Sequence, residues 1–168
     1  MDTAQIKQYL GELNEELREI DVKGEICLYG GAVMCVAFNA RPLTKDVDAV
    51  FEPVRHIRGA AGRIAERHGL PKDWLNHAVK MFLVPHDQRI LFDMSHLKVF
   101  MPPPEYLLAM KVLAARANTM DRNDIEFLIG RLDLTNPEQV LEIVRHYYPH
   151  KQVKPATKAV IEELLGQG

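Results

Sequence analysis

The chain has 168 residues, 47% of them apolar, and a formal net charge of −2. That length suits one domain or a domain with a small extension, and the apolar share is enough for a buried core. A charge so near zero excludes an overall basic field of the kind that attracts nucleic acid, leaving only a local patch for that purpose. No apolar run approaches the roughly 20 residues of a membrane span.

Residues 3 to about 20 predict an amphipathic packing helix, with Ile6, Leu10, Leu13, Leu17 and Ile20 recurring at three- and four-residue steps. Residues 25–29 read as a strand and 31–39 as a helix, which Pro42 cannot continue. Residues 46–51 read as a second strand and 55–68 as a helix stopped by Gly69-Leu70-Pro71. Trp74-Leu75-Asn76 suggests a short turn or helix, 79–84 a strand or an irregular edge, and 89–94 a strand. His96 is expected in an exposed loop.

Three prolines, Pro102 to Pro104, favour an extended break. They divide an α/β part, 1–101, from a helical part, 102–168, expected to pack on it. A helix over 105–117 is apolar nearly all round, which predicts burial. Asp121 or Asn123 can cap the next helix, ending near Arg131. Asn136 and Pro137 form an N-cap and first-turn pair for another helix, and a last one spans 155–165. The expected class is α/β (α+β): a small mixed β-sheet flanked by helices, with a helical C-terminal half.

Cys27 and Cys35 fall in apolar runs and fit reduced core thiols. The N-terminus is acidic and amphipathic, without the apolar core of a signal peptide. A reducing cytoplasm is the expected location.

The densest chemical signal is Leu28-Tyr29-Gly30-Gly31-Ala32, then Arg41-Pro42-Leu43-Thr44-Lys45-Asp46-Val47-Asp48. A glycine pair after a strand lets a phosphate approach backbone N–H groups and a positive helix end. Two aspartates two apart in a strand would share a face and repel unless a cation sits between them. Such an oxygen pair suits Mg²⁺, which takes substrate phosphates as further ligands. Asp46 and Asp48 are the candidate metal ligands. The bland alternative is a pair of surface aspartates.

This pattern resembles the signature of the nucleotidyltransferase fold. Its form here, with Arg41, Thr44, Lys45, Asp46 and Asp48, is most similar to AbiEii-type nucleotidyltransferases of bacterial toxin–antitoxin and phage-defence systems. A second block supports the resemblance: Pro104 to Lys111, Ala114-Ala115-Arg116, and Asp121 to Ile125. The resemblance covers roughly residues 20 to 130. It implies Mg²⁺, as one or two ions, and transfer of a nucleoside monophosphate from an NTP to an acceptor. It further implies tRNA as acceptor, and an antitoxin protein as partner of a toxin.

By resemblance, a third carboxylate is expected, and Asp93 is the candidate; capping a strand end is its plain alternative. Lys111, inside an apolar helix, would contact the triphosphate, or else extend its ammonium to solvent. Asp124 would orient Lys111 or reach the metal, with helix capping as rival, and for Asp121 capping is preferred. Arg41, Thr44 and Lys45 are candidates for phosphate or acceptor contacts, and Arg116 for phosphate or a structural ion pair. The basic residues between Arg145 and Lys158 read by default as a solvated face. Two other functions stay open: a non-catalytic nucleotide-binding or interaction module, and transfer onto a protein or small molecule.

Overall fold

The computed structural model describes residues 1–115 and 119–166. Arg116 lies outside the described residues. The chain forms two compact units: residues 1–83 with 88–102, and residues 84–87 with 103–168.

The first unit holds a five-stranded mixed sheet. Its strands are β1 (Gly24–Tyr29), β2 (Val47–Glu52), β3 (Leu75–Asn76), β4 (Arg89–Asp93) and β5 (Leu97–Met101), in spatial order β3-β2-β1-β5-β4. β1 pairs antiparallel with β2 and parallel with β5, while β4 pairs antiparallel with β5. β5 carries no sequence expectation, yet it lies between β1 and β4. The segment 74–76 holds a two-residue strand, not a turn or helix, and Ala78–Phe82 is a 3-10 helix, not a strand.

Helices α1 (Thr3–Glu19), α2 (Gly30–Val36) and α3 (Val54–His68) complete this unit. Asp2 starts α1 with a capping box: its carboxylate accepts from the Gln5 N–H, and the Gln5 side chain accepts from the Asp2 N–H. Gly69, at φ +66°, ends α3 in the left-handed conformation. Cross-strand partners share a face, so Ile26, Leu28, Ala49, Phe51 and Val99 line one side of the sheet and are all buried. A Cβ on Gly24, on that same side, would meet Leu17 of α1 at 2.9 Å and Ile57 of α3 at 3.1 Å. The main core therefore lies between this face and α1 and α3. Cys27 and Cys35 are buried, free thiols, and burial pushes the Cys27 thiol up to about 11, which keeps it protonated.

The second unit contains α4 (Pro104–Ala114), α5 (Thr119–Arg131), α6 (Pro137–Tyr147) and α7 (Pro155–Leu165). Asn136 caps α6 with a second capping box through Gln139, and Pro137 takes its first position. The Tyr106 and Tyr148 hydroxyls are hydrogen-bonded at 2.8 Å inside this unit, and the Val84 N–H donates to Tyr106 at 3.1 Å. Among the described residues no helix is long and apolar enough to cross a membrane.

Candidate active site

The glycine pair follows β1 directly. Tyr29 is extended, and Gly30 then takes φ +61°, a conformation that side chains disfavour. Asp48 is the register partner of Tyr29, so its carboxylate falls beside this turn. A Cβ on Gly30 would stand 3.1 Å from Asp48 Oδ2. On Gly31 a Cβ would meet Arg41 Nη1 at 2.3 Å and Thr44 Oγ1 at 2.6 Å. The two glycines thus leave room for a carboxylate, a guanidinium and a hydroxyl around one turn.

The segment carrying Arg41 and Thr44 is held by local bonds. Asn39, at φ +50°, turns the chain out of α2, and the Ala40 N–H donates to the Met34 carbonyl at 2.8 Å. This ends the helix before the expected residue 39. Leu43 forms an antiparallel bridge with Asp2, and the Thr44 N–H donates to the Met1 carbonyl at 2.9 Å. The Thr44 hydroxyl donates to the Asp46 carbonyl at 3.1 Å, linking it to the residue before β2.

Asp46 and Asp48 differ in setting. Asp46 lies in a bend, and β2 begins only at Val47, so strand alternation does not place the two aspartates as the sequence predicts. Both are half-buried, and Lys45 is exposed. On its other side Asp48 has Asn76 of β3 as register partner, a neighbour that no sequence motif marks.

Asp93 does not join this group. It ends β4 opposite Lys98, which pairs with Glu25, which pairs with Glu52. Asp48 belongs to the Tyr29 row, four residues further along β1 and three strands over. Sheet spacings put the two carboxylates roughly 19 Å apart. The direction of β4 is the reason: running antiparallel to β5, it carries its last residue toward the start of β1. His96 is likewise at that far end, where Nε2 contacts Asp21 at 3.0 Å and its N–H donates to Asn14 at 2.7 Å.

Lys111, in α4 of the second unit, is 3.1 Å from Asp121 Oδ1 and 3.1 Å from Asp124 Oδ2. The lysine side chain is 17% exposed and the aspartates 8% and 3%, so this is a nearly dry cluster of one cation and two carboxylates. α5 starts at Thr119, which places Asp121, Asn123 and Asp124 inside the helix. The capping expectations for Asp121 and Asn123 therefore fail, and so does that of Asp124 at a helix start. Asp124 is in ionic contact with Lys111, the contact that one of its three sequence readings names.

Among the described residues no three His, Cys, Asp or Glu side chains are grouped to hold a metal ion. Mg²⁺ needs only one or two carboxylates when phosphates and waters supply the rest, and Asp48, beside the Gly30 turn, is a carboxylate of that kind. The sequence matches no protein-family model and no curated protein, and the fold matches no solved structure.

Proposed function

We propose that the chain is a Mg²⁺-dependent nucleotidyltransferase. The observation that carries this reading is the convergence of Asp48, Arg41 and Thr44 on the Gly30-Gly31 turn. In the proposed reaction an acceptor hydroxyl gives up its proton to solvent and its oxygen bonds to the α-phosphorus of an NTP. The bond to the bridging oxygen breaks and pyrophosphate leaves. Asp48, with Asp46, would hold Mg²⁺, which when bound neutralises phosphoryl oxygens and lowers the barrier to displacement. Arg41 supplies a forked donor for phosphate. Gly30 and Gly31 let the backbone approach the nucleotide where any side chain would collide. Lys111 already serves two carboxylates, so this reading gives it, with Asp124, a structural part.

The acceptor and the biological setting follow only from the resemblance to AbiEii-type enzymes: a tRNA acceptor, and a toxin restrained by an antitoxin. A second reading, a nucleotide-binding module without catalysis, draws support from Asp93, whose distance leaves two carboxylates where three are expected. Incubation with each α-labelled NTP, Mg²⁺ and total bacterial RNA, beside Asp48→Ala, separates them. Label in RNA with wild type alone supports transfer. Label on protein or a small molecule moves the acceptor. NTP binding by folded protein without transfer to any of these favours the module.

A further inference from the structure

Beside β3, on the first unit, lies an open groove of about 700 Å³. Arg58 of α3, Lys72 of the turn before β3, and Lys80 of the 3-10 helix line it, against one carboxylate, Asp73. All three cations are exposed. The local field is therefore positive although the whole chain is slightly acidic. His77, also in the groove, is held below the ordinary histidine range, first by burial and then by Lys80 and Arg58. Its ring is thus neutral near pH 7, and it packs on Phe51 with centroids 4.5 Å apart. Next to Lys80, Met81 is 85% exposed and Phe82 65% exposed, an apolar step beside the cations.

We propose that this groove binds a single-stranded nucleic-acid segment, with Arg58, Lys72 and Lys80 on its phosphates, His77 as a flat surface for one base, and the exposed Phe82, next in the chain to the lining Met81, as a surface for another. Phosphate-tracking cations interleaved with aromatic rings are what sequence-tolerant single-strand binding requires. An acidic peptide would use the cations but has no need of the rings. The groove also adjoins the candidate active site: Asn76 lines it and is the register partner of Asp48. A strand lying in it can present an end to Asp48. That acceptor role rests on the transfer reaction proposed above, whereas the binding does not.

The test uses the full chain and a fluorescent single-stranded RNA of about 12 nucleotides, within the usual site size. Anisotropy is read across a salt series for wild type, Arg58→Gln/Lys72→Gln/Lys80→Gln, Phe82→Ala and Asp48→Ala. Circular dichroism checks folding; of the altered side chains all but the half-buried Asp48 are exposed. The triple variant should bind at least about tenfold more weakly, and its log K against log salt should flatten by about 2, near 0.7 per lost phosphate contact. Phe82→Ala should bind several-fold more weakly at unchanged slope. Asp48→Ala should bind like wild type while losing transfer; a wild type that binds the RNA but transfers nothing would sink the reaction and leave the groove standing. The proposal fails if the triple variant binds like wild type, or if wild type does not bind at low salt. It also fails if polyglutamate of equal charge competes as well as the RNA, since an acidic protein would then be the better partner.

Discussion

Asp48 Oδ2 occupies the space a methyl group on Gly30 would need, 3.1 Å from where its Cβ would be. A backbone turn in β1's continuation and a carboxylate in β2 are thus fitted to each other through the Tyr29–Asp48 register pair. Gly30→Ala should lose about 1–2 kcal/mol from the left-handed backbone alone, and should displace the carboxylate as well. Gly31→Ala meets side-chain atoms of Arg41 and Thr44, of which the guanidinium can swing away. Thr44, buried and bonded to the Asp46 carbonyl, has no such freedom, so overpacking should cost about 1–3 kcal/mol, and nucleotide binding should fall. Urea unfolding and NTP titration of both variants check these losses.

Asp93 and Asp48 should part company in any transfer assay. Asp48→Asn is expected to lower the rate at least about a hundredfold, the usual scale for removing a key electrostatic group. Asp93→Asn should leave it unchanged, because its nearest cross-strand charge is Lys98 at the far end of the sheet. Equal losses would show that Asp93 reaches the chemistry after all.

Lys111 is the cation between two buried carboxylates. Lys111→Met should destabilise the protein by about 3–5 kcal/mol, the scale for breaking a buried ion pair by removing one member. Adding Asp121→Asn and Asp124→Asn to that variant should restore part of the loss, a non-additivity expected of contacting groups. Chemical denaturation of the single and triple variants gives both numbers. A Lys111→Met protein as stable as wild type would show that the cluster carries no stability.

Glu12 of α1 meets Arg67 and His68 of α3. Burial acts to raise its carboxyl, but hydrogen bonds from His68, Arg67 and Gln8 outweigh it, and the group titrates below the ordinary glutamate range. A lowered folded value means that the charged form stabilises the fold above the unfolded value, about 4.3, and that this is lost as pH falls through the folded value. As pH falls below about 4.3, wild type should therefore lose stability more steeply than Glu12→Gln. Thermal midpoints of the two proteins across that range test the slope, and parallel curves would rule the linkage out.

Much of the local structure is legible in the residues because its causes are local. Gly69 ends α3, and Asn136 with Pro137 opens α6, each through bonds within a few residues. The candidate site divides along the same line. Gly30, Gly31, Arg41, Thr44 and Asp48 are close in sequence and are joined by a single antiparallel pairing, so their spacing already indicates a site. No local signal reports which way β4 runs, so the residues near Asp93 do not say at which end of the sheet it lies. The place of β5 depends on pairing with β1, more than seventy residues earlier in the chain, and leaves no local mark. Two-residue β3 is too short for any periodicity to mark it.

The sequence by itself determined where most helices begin and end, which strands face a core, and that a glycine turn precedes a pair of aspartates. Tertiary structure alone decided that Asp48 stands beside Gly30 and Arg41 and Thr44 beside Gly31, that Asp93 stands at the other end of the sheet, and that Lys111 is held by Asp121 and Asp124. It also gathered Arg58, Lys72 and Lys80, which lie on three different segments and share no common period, into one groove. The physical reason is that capping and alternation act within a few residues, whereas strand order and direction are set by burial and hydrogen bonding between segments distant in the chain.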